Sequence, residues 1–247
     1  MLATVISARC LSSRLPNKAL EEIIPGFRAI DIVIIRAKQI GLPVILATST
    51  DPTDDYFEDV CKKQNIDIFR GALLNKIKRW YDCFVKFDID FAIQIDGDDL
   101  SYDFDIAKNA IKEIQLEKFD LLTCEKEAIT GLFTFAFTKN AIKKLYDVVP
   151  DEKTNTDIIT KFIKKSNLKT GYLESSGYEK NESIRLTLDY KEDLEFFKKL
   201  YSLTDIKTPT RKIIEFLIEN PDVAKINYHR QKDFVLNQER FNNAIEI

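Results

Sequence analysis

Short apolar runs alternate with longer amphipathic segments through the first half of the chain, and this rhythm limits the possible folds more than any other feature. The apolar runs cover residues 2–8, 44–48, 66–69 and 91–95. Each run is short and rich in β-branched or aromatic side chains, so it predicts a buried strand. Between them, apolar residues recur at helical spacing over about 27–40, 51–64 and 73–87. Strands separated by helices predict an α/β fold whose mostly parallel, mixed sheet lies between helices.

The second half continues this alternation and ends in helices. The pattern predicts further helices over about 103–116, 140–148 and 156–165, and strands over 121–123, 131–137, 168–174 and 183–188. Helical spacing then dominates, over 191–201, over 209–219 and from about residue 230 onward. We therefore predict a main α/β domain over residues 1–206. Residues 207–247 are predicted to be a helical C-terminal arm of that domain, packed on its body or on a second subunit.

The composition excludes several classes of protein. The formal net charge is −3 over 247 residues, which argues against nucleic acid as a partner. No run approaches the ~20 apolar residues of a membrane span, so we expect no membrane insertion. Cys10, Cys61, Cys83 and Cys124 are scattered, as is typical of a cytoplasmic protein. Because His229 is the only histidine, any metal must be held by oxygen ligands, which favours Mg²⁺.

A basic loop follows the first predicted strand. Residues 9–18 contain Arg9, Arg14 and Lys18 together with two serines, and no acidic residue appears before Glu21. In α/β proteins, a loop of this kind at the carboxyl end of a strand holds polyphosphates through backbone N–H groups, hydroxyls and cations. A solvated surface loop is the alternative.

An acidic turn follows the fourth predicted strand. Asp96, Asp98 and Asp99 should lie at the same edge of the sheet as the basic loop. Carboxylates crowded on a turn are stabilised by solvent, by ion pairs or by a bound cation. A solvated acidic turn is again the simpler interpretation when this cluster is considered alone.

Several motifs together resemble the spore-coat polysaccharide biosynthesis cytidylyltransferase-like family. These proteins are relatives of the synthetases that make CMP-3-deoxy-manno-octulosonate and CMP-sialic acid. The opening motif is Ala8-Arg9-x-x-Ser12-Ser13-Arg14-Leu15-Pro16-x-Lys18. Phe69-Arg70-Gly71, Gly97-Asp98-Asp99 and residues 185–194, which read RLTLDYKEDL, match in the same order. The resemblance implies a Rossmann-like nucleotide-diphospho-sugar transferase fold over nearly the whole chain.

The resemblance also implies a reaction, in which CMP passes from CTP to an acidic sugar or to a sugar or polyol phosphate and pyrophosphate is released. Surface polysaccharide or glycoconjugate biosynthesis is the implied context. The implied nucleotide-binding residues are Ala8, Arg9, Ser12, Ser13, Arg14, Lys18, Arg70, Arg79 and Asp96. For Arg70 and Arg79 a plain surface charge is the alternative.

Five residues are implied to be catalytic, namely Arg9, Arg14, Lys18, Asp98 and Asp189. Asp98 and Asp189 map onto the magnesium-binding aspartates, so their carboxylates should approach within about 7 Å. Because two such carboxylates repel without metal, asparagine at either position should cost little stability. Arg185 and Thr187 are implied to face the acceptor, with a salt bridge to a nearby aspartate as the alternative for Arg185.

The chain departs from the family pattern at three places. Asn17 stands where glycine is usual, Phe133 and Phe135 replace acidic residues, and residues 155–157 lack the usual Glu-His-Val-like pattern.

Two other functions are alternatives to the cytidylyltransferase. One rival is a metal-dependent glycosyltransferase of the related fold, since Asp96-Gly97-Asp98 satisfies its Asp-x-Asp motif. The other is a degenerate nucleotide-binding module without turnover. A homodimer is compatible with all three functions.

Overall fold

The sheet is built from strands whose residues alternate between two buried clusters. The computed structural model describes residues 1–12, 14–116, 118–125, 128–173 and 177–244. In β1, Ile6 packs into one cluster, whereas Ala3 and Val5 pack into the other. The strands of the described residues are β1 (Leu2–Ser7), β2 (Glu22–Ile24), β3 (Phe27–Arg28), β4 (Val44–Ser49), β5 (Asp67–Gly71), β6 (Phe91–Asp96), β7 (Leu121–Thr123), β8 (Phe135–Thr138) and β9 (Thr170–Tyr172).

Seven of these strands form one mixed sheet in the order β5-β4-β1-β6-β8-β7-β9. The pairs β5/β4, β4/β1, β1/β6 and β7/β9 are parallel, whereas β8 runs antiparallel to both of its neighbours. The remaining two strands, β2 and β3, form a small antiparallel hairpin. The predicted fold class, a mostly parallel mixed sheet between helices, is confirmed.

Helices cover both faces of the sheet, and polar side chains define where several of them begin. Asn75, Asp103 and Thr138 each accept a backbone N–H bond at the start of α3, α4 and α5, which satisfies donors left free at a helix end. One face carries α1, α2, α4, α7 and α8, and the other carries α3, α5 and α6. The helices are α1 (Ala29–Ala37), α2 (Tyr56–Gln64), α3 (Lys76–Lys86), α4 (Phe104–Ile114), α5 (Lys139–Asp147), α6 (Thr160–Lys165), α7 (Lys191–Leu203), α8 (Thr210–Glu219), α9 (Pro221–Ala224) and α10 (Arg230–Ala244).

The strand order places a topological switch point between β1 and β6. From β1 the chain moves outward through β4 to β5, and it then returns to β6 on the other side of β1. Ser7 and Asp96 lie side by side in register at the ends of these two strands. A ligand crevice outside the carboxyl ends of the strands is expected at such a point.

Four predicted elements differ from the structure. Residues 183–188 form no strand, because their backbone bonds go to two separate loops: Leu186 N–H donates to Thr130 O at 2.8 Å and Leu188 N–H to Asp98 O at 2.9 Å. The strand predicted over 131–137 begins only at Phe135, after a turn at Gly131 whose φ is +88°. Hairpin strand β3 takes the first two residues of the helix predicted over 27–40, and the helix predicted over 156–165 begins at Thr160.

The C-terminal segment is helical, as predicted. Ile213, Ile214 and Leu217 of α8 are buried in the same cluster as α1 and α4, whereas α10 contributes no buried residue. The boundary between residues 206 and 207 stays a prediction. Across the described ranges, no helix combines the length and the apolar character that crossing a membrane requires.

Candidate active site

A cavity of about 930 Å³ lies at the carboxyl edge of the sheet. The loops after β1, β5, β6 and β7 form its walls, and α10 adds residues from the C-terminal end of the chain. Its volume is within the range of sites that enclose nucleotides and drug-sized ligands. The switch point between β1 and β6 therefore opens into a ligand-sized space.

The loop after β1 is held in place by one buried carboxylate. Asp54 accepts a bond from Cys10 N–H at 2.7 Å, and it also accepts from Thr48 Oγ1 and from Ser49 N–H. Because the carboxylate is fully buried and multiply bonded, it fixes the start of the loop against the end of β4. The basic loop is therefore a fixed part of the cavity wall. The alternative interpretation, a free surface loop, does not predict this.

Two backbone positions explain the close packing around this loop. Asn17 has φ 60°, in the left-handed region that glycine and asparagine adopt most easily, so asparagine can replace the usual glycine here. Gly97 N–H donates to Ser7 O at 2.8 Å, and a Cβ at this position would lie 2.7 Å from Ala8 Cβ. Glycine at residue 97 therefore lets the acidic turn approach the basic loop.

Lys18 joins the two aspartates that lie 91 residues apart in the sequence. Its Nζ is 2.5 Å from Asp98 Oδ2 and 2.8 Å from Asp189 Oδ1, so these two oxygens are no more than about 5.3 Å apart. This separation is within the predicted limit of about 7 Å. Asp189 also accepts from Arg14 Nη2 at 2.5 Å and from Arg185 Nη2 at 3.0 Å.

The electrostatics of this cluster keep Asp189 and Lys18 charged at neutral pH. Burial works against charge on Asp189, but Lys18 and Arg14 outweigh it and hold the pKa of Asp189 well below its usual range. Burial likewise opposes charge on Lys18, and the carboxylates of Asp98 and Asp189 outweigh it and raise the pKa of Lys18. The cluster therefore presents a buried ammonium between two carboxylates.

The donor set fits a hard divalent cation that shares its ligands with a substrate. Across the ranges described, no three His, Cys, Asp or Glu side chains converge as a complete metal site. Two carboxylates within bridging distance suit Mg²⁺, which commonly takes one or two carboxylates and completes its coordination with phosphates and water. The ammonium of Lys18 lies between these carboxylates, so a metal there requires Lys18 to move toward another anion.

A second group of charges lies in the cavity wall beside the loop after β5. Arg9 pairs with Asp157 at 3.1 Å, and both Arg9 and Arg79 donate to the carbonyl of Leu73. Burial and the charge of Arg9 lower the pKa of Arg79 to about 10. Arg79 Nε is buried without a partner among the residues the structure describes, so this guanidinium has unused hydrogen-bonding capacity at the cavity.

The remaining acidic residues of the turn differ in environment. Lys76 lies 3.5 Å from Asp96, and burial raises the pKa of Asp96 although Lys76 opposes this shift. Asp99 is buried beside Asp98 and accepts a bond from Thr134 Oγ1 at 3.2 Å. Burial, Asp98 and Asp96 together raise the pKa of Asp99 well above its usual value.

The two phenylalanines that replace acidic family residues occupy different places. Phe133 lines the cavity and stacks on Tyr102, with ring centroids 5.8 Å apart. Phe135 belongs to β8 and packs on Phe137 in the core. Only the first of the two departures therefore changes the surface that a ligand meets.

Most of the predicted site residues meet in the cavity. Those that line it are Ala8, Arg9, Ser12, Arg14, Lys18, Arg79, Asp96, Asp98, Thr187 and Asp189. Ser13 lies outside the described residues.

Two predicted site residues lie elsewhere. Arg70 does not line the cavity. Its guanidinium forms ion pairs with the carboxylates of Asp55 and Glu58, each with an N–O distance of 2.6 Å. Arg185 is fully buried behind Asp189, where it pairs with Asp189 and Asp193, so the salt-bridge alternative describes it.

Several residues of the cavity wall carry no sequence signal that assigns them to a site. Lys76 and Asp157 carry charges there, and Phe234, Asn237, Gln238 and Phe241 reach it from α10. The four α10 residues recur at a spacing of three or four, which is a helical stripe. Such a stripe usually predicts core packing when it is aliphatic, and this one is not, so no sequence pattern connected it with a site.

Comparisons with known proteins agree with this geometry. The profile of the cytidylyltransferase family matches residues 3–241. An uncharacterized protein of Methanocaldococcus jannaschii is 31% identical over 237 residues, covering 93% of this chain and 96% of the relative. The spore coat polysaccharide biosynthesis protein SpsF of Bacillus subtilis is 26% identical over 230 residues, covering 89% and 95%.

Two solved structures share the fold. A cytidylyltransferase from Leptospira borgpetersenii superposes with a TM-score of 0.81 at 21% identity, over 90% of this chain and 96% of that one. CMP:2-keto-3-deoxy-manno-octonic acid synthetase complexed with CTP superposes with a TM-score of 0.61 at 15% identity, over 81% of this chain and 98% of that one. Both superpositions therefore show that this chain shares the fold of these two structures.

Proposed function

The chain belongs to the cytidylyltransferase family and is a CTP-dependent nucleotidyltransferase, and we propose that it transfers CMP to an acidic sugar or to a sugar or polyol phosphate. The observation that carries the proposal is the cluster in which Lys18 and Arg14 meet Asp98 and Asp189 beside a nucleotide-sized cavity. The polysaccharide biosynthesis named for SpsF and the acidic sugar named for the solved synthetase support this class of acceptor.

The reaction needs charge placement more than covalent participation by the protein. An acceptor oxygen forms a bond to the α-phosphorus of CTP, the bond from that phosphorus to the β-phosphate bridging oxygen breaks, pyrophosphate leaves, and the acceptor proton passes to solvent. Arg9, Arg14 and Lys18 supply countercharge as the leaving group gains negative charge. Thr187 offers a hydroxyl beside Asp189 on the acceptor side.

Magnesium is the proposed cofactor, held by Asp98 and Asp189. When bound, it supplies Lewis-acid polarisation of the phosphate that is attacked. Lys18 then exchanges its two carboxylate partners for phosphate oxygens, which gives its buried ammonium a new counterion. Arg79, beside the loop after β5, is proposed to contact the nucleoside half of CTP.

The direct test is pyrophosphate release from CTP, ATP, GTP and UTP with Mg²⁺, each against a panel of acidic sugars and of sugar and polyol phosphates. We expect release from CTP with at least one acceptor and a larger CTP-dependent rise in melting temperature than for the other nucleotides. Equal melting shifts for all four nucleotides would contradict the base assignment. Hydrolysis of nucleotide sugars without release of pyrophosphate from CTP would favour the glycosyltransferase, and CTP binding without turnover the degenerate module.

The location and the oligomeric state of the protein are also proposals. A cytoplasmic location is consistent with four cysteines that are all free thiols. A homodimer is consistent with Val235 and Leu236 of α10, which are 44% and 50% exposed. Neither proposal affects the proposed chemistry of the cavity.

A further inference from the structure

The two faces of helix α10 differ in composition, but not in the way that is usual for an amphipathic helix. Seven of its residues are half-buried. The first is Arg230, and the other six form one helical stripe that contains no charged and no aliphatic side chain: Gln231, Phe234, Asn237, Gln238, Phe241 and Asn242. The other charged side chains of the helix (Lys232, Asp233, Glu239 and Arg240) and its aliphatic ones (Val235 and Leu236) are exposed instead. A helix that only packed on the body would direct its aliphatic residues inward.

The first turns of α10 are fixed beside the Asp189 cluster. Gln231 accepts from Arg185 at 3.1 Å and donates to Thr130 Oγ1 at 2.9 Å. The ring of Phe234 lies 4.9 Å from the guanidinium of Arg185 and 5.8 Å from that of Arg14. Arg230 adds a two-bond ion pair to Glu192, with both distances 2.9 Å. The helix therefore starts at the Asp189 cluster, and its later residues Asn237, Gln238 and Phe241 line the cavity.

The following turns present two amide side chains to this space. Asn237 and Gln238 line the cavity, and both are half-buried, so their amides are accessible to a ligand there. A carboxamide offers two donors and one acceptor, and it carries no charge. Phe234 and Phe241 lie on either side of the two amides along the same stripe.

We propose that α10 is the roof of the acceptor subsite, with Asn237 and Gln238 binding the hydroxyl groups of a polyhydroxylated acceptor between the rings of Phe234 and Phe241. Neutral amides match hydroxyl groups because both donate and accept, and aromatic rings match the C–H faces of a sugar or polyol. The roof thus reads the uncharged, hydroxylated part of the acceptor. The identification of the ligand as the acceptor rests on the proposed function, whereas the position of α10 at the cavity comes from the structure.

The experiment measures binding of four probes without requiring turnover. 2-Keto-3-deoxy-manno-octonate, N-acetylneuraminate, ribitol 5-phosphate and erythritol 4-phosphate are titrated by saturation-transfer NMR in the presence of Mg²⁺ and an α,β-methylene analogue of CTP. The variants are Asn237→Ala/Gln238→Ala and, as the matched control on the opposite face of α10, Glu239→Ala/Arg240→Ala. Calorimetry follows the affinity of the CTP analogue separately.

The inner-face double variant should weaken binding of the best probe by about 10-fold or more, since it removes two sets of hydrogen bonds. The control should bind that probe as the wild type does, and the affinity for the CTP analogue should change less than about 2-fold in both variants. Unchanged probe affinity in the inner-face variant, an equal loss of affinity for the CTP analogue, or binding of none of the four probes by the wild type would overturn the roof. Probe binding without affinity for the CTP analogue would support the roof and contradict the nucleotide assignment.

Discussion

At the scale of single residues, Asp98 and Asp189 share one ammonium but differ in how strongly the protein depends on them. Asp189 is 1% exposed and is held by Lys18, Arg14 and Arg185, whereas Asp98 is 22% exposed and its ion pair is with Lys18. Asp189→Asn should therefore lower the free energy of unfolding by about 3 kcal/mol, because it leaves buried cations without their counterion. Asp98→Asn should cost less than about 1 kcal/mol.

Urea denaturation at pH 7 without nucleotide measures both losses, and turnover should disappear in both variants. Equal and small losses would mean that the ion pairs around Asp189 add nothing to stability. The sequence led to the expectation of little cost at either position, because two carboxylates alone repel. The premise of that expectation does not hold for Asp189, because Lys18, Arg14 and Arg185 converge on this carboxylate; the larger stability cost at Asp189 is the prediction that replaces it.

The ammonium of Lys18 is expected to compete with a metal for the same two carboxylates. Lys18→Met should raise the affinity for Mn²⁺ in the absence of nucleotide by about 10-fold or more, because the competing charge is gone. Titration followed by electron paramagnetic resonance measures it. Lys76→Met is the control, since Lys76 lies 3.5 Å from Asp96 and is not part of this pair. Equal Mn²⁺ affinity in the wild type and Lys18→Met would show that ammonium and metal occupy different places.

At the scale of elements, the segment 183–189 carries Thr187 and Asp189 and depends on one glycine. Gly131 has φ +88°, and a Cβ there would press against the carbonyl of Leu186 and lie 2.8 Å from Thr187 N. Gly131→Ala should cost about 3 kcal/mol of stability and reduce turnover, since the segment must shift. Gly26→Ala is the matched control, because Gly26 has φ +81° and no atom within 4 Å of its Cβ position.

Gly26→Ala measures only the cost of placing alanine in the left-handed region of the backbone, which is about 1 kcal/mol. Thermal or urea unfolding of both variants gives the difference in stability, and a similar cost for the two would contradict the close approach of Gly131 to Leu186.

The same segment shows why its secondary structure could not be predicted from sequence. Its alternating pattern is that of a strand, but a strand needs a continuous partner, and Leu186 and Leu188 instead bond to Thr130 and Asp98, which lie in different loops.

At the scale of the whole molecule, the sequence predicted the strand–helix rhythm because period-two and helical patterns are local. It also brought Arg9, Arg14, Lys18 and Asp98 to one sheet edge, because topology and motif order are sufficient for that. It could not place α10 over the cavity, since the contacts of Gln231 with Arg185 and Thr130 join positions up to 101 residues apart. The period of the α10 stripe indicates a helix, but it does not identify the surface on which that helix packs.

The four thiols offer a test of the whole fold. Burial is the first cause that raises the pKa of Cys10, Cys61, Cys83 and Cys124, in each case to about 12. Since only the thiolate reacts, native labelling at pH 8 should be at least about 1,000-fold slower than for free cysteine and should rise about tenfold per pH unit. Labelling with a disulfide reagent checks this prediction, and unfolding in urea should restore the full rate. Fast labelling of any one thiol in the native protein would contradict its burial.

The hydrogen bond between Trp80 and Ser7 gives the protein a built-in optical reporter. Trp80 is the single tryptophan, it is fully buried, and its indole N–H donates to Ser7 Oγ at 2.6 Å. Lys76 Nζ lies 5.2 Å from the centre of the ring, and both Ser7 and Lys76 line the cavity. The indole emission is sensitive to a nearby charge, so a ligand that draws Lys76 away changes the colour or intensity of the fluorescence. We therefore expect nucleotide binding to be measurable in the unlabelled protein through the intrinsic fluorescence of Trp80.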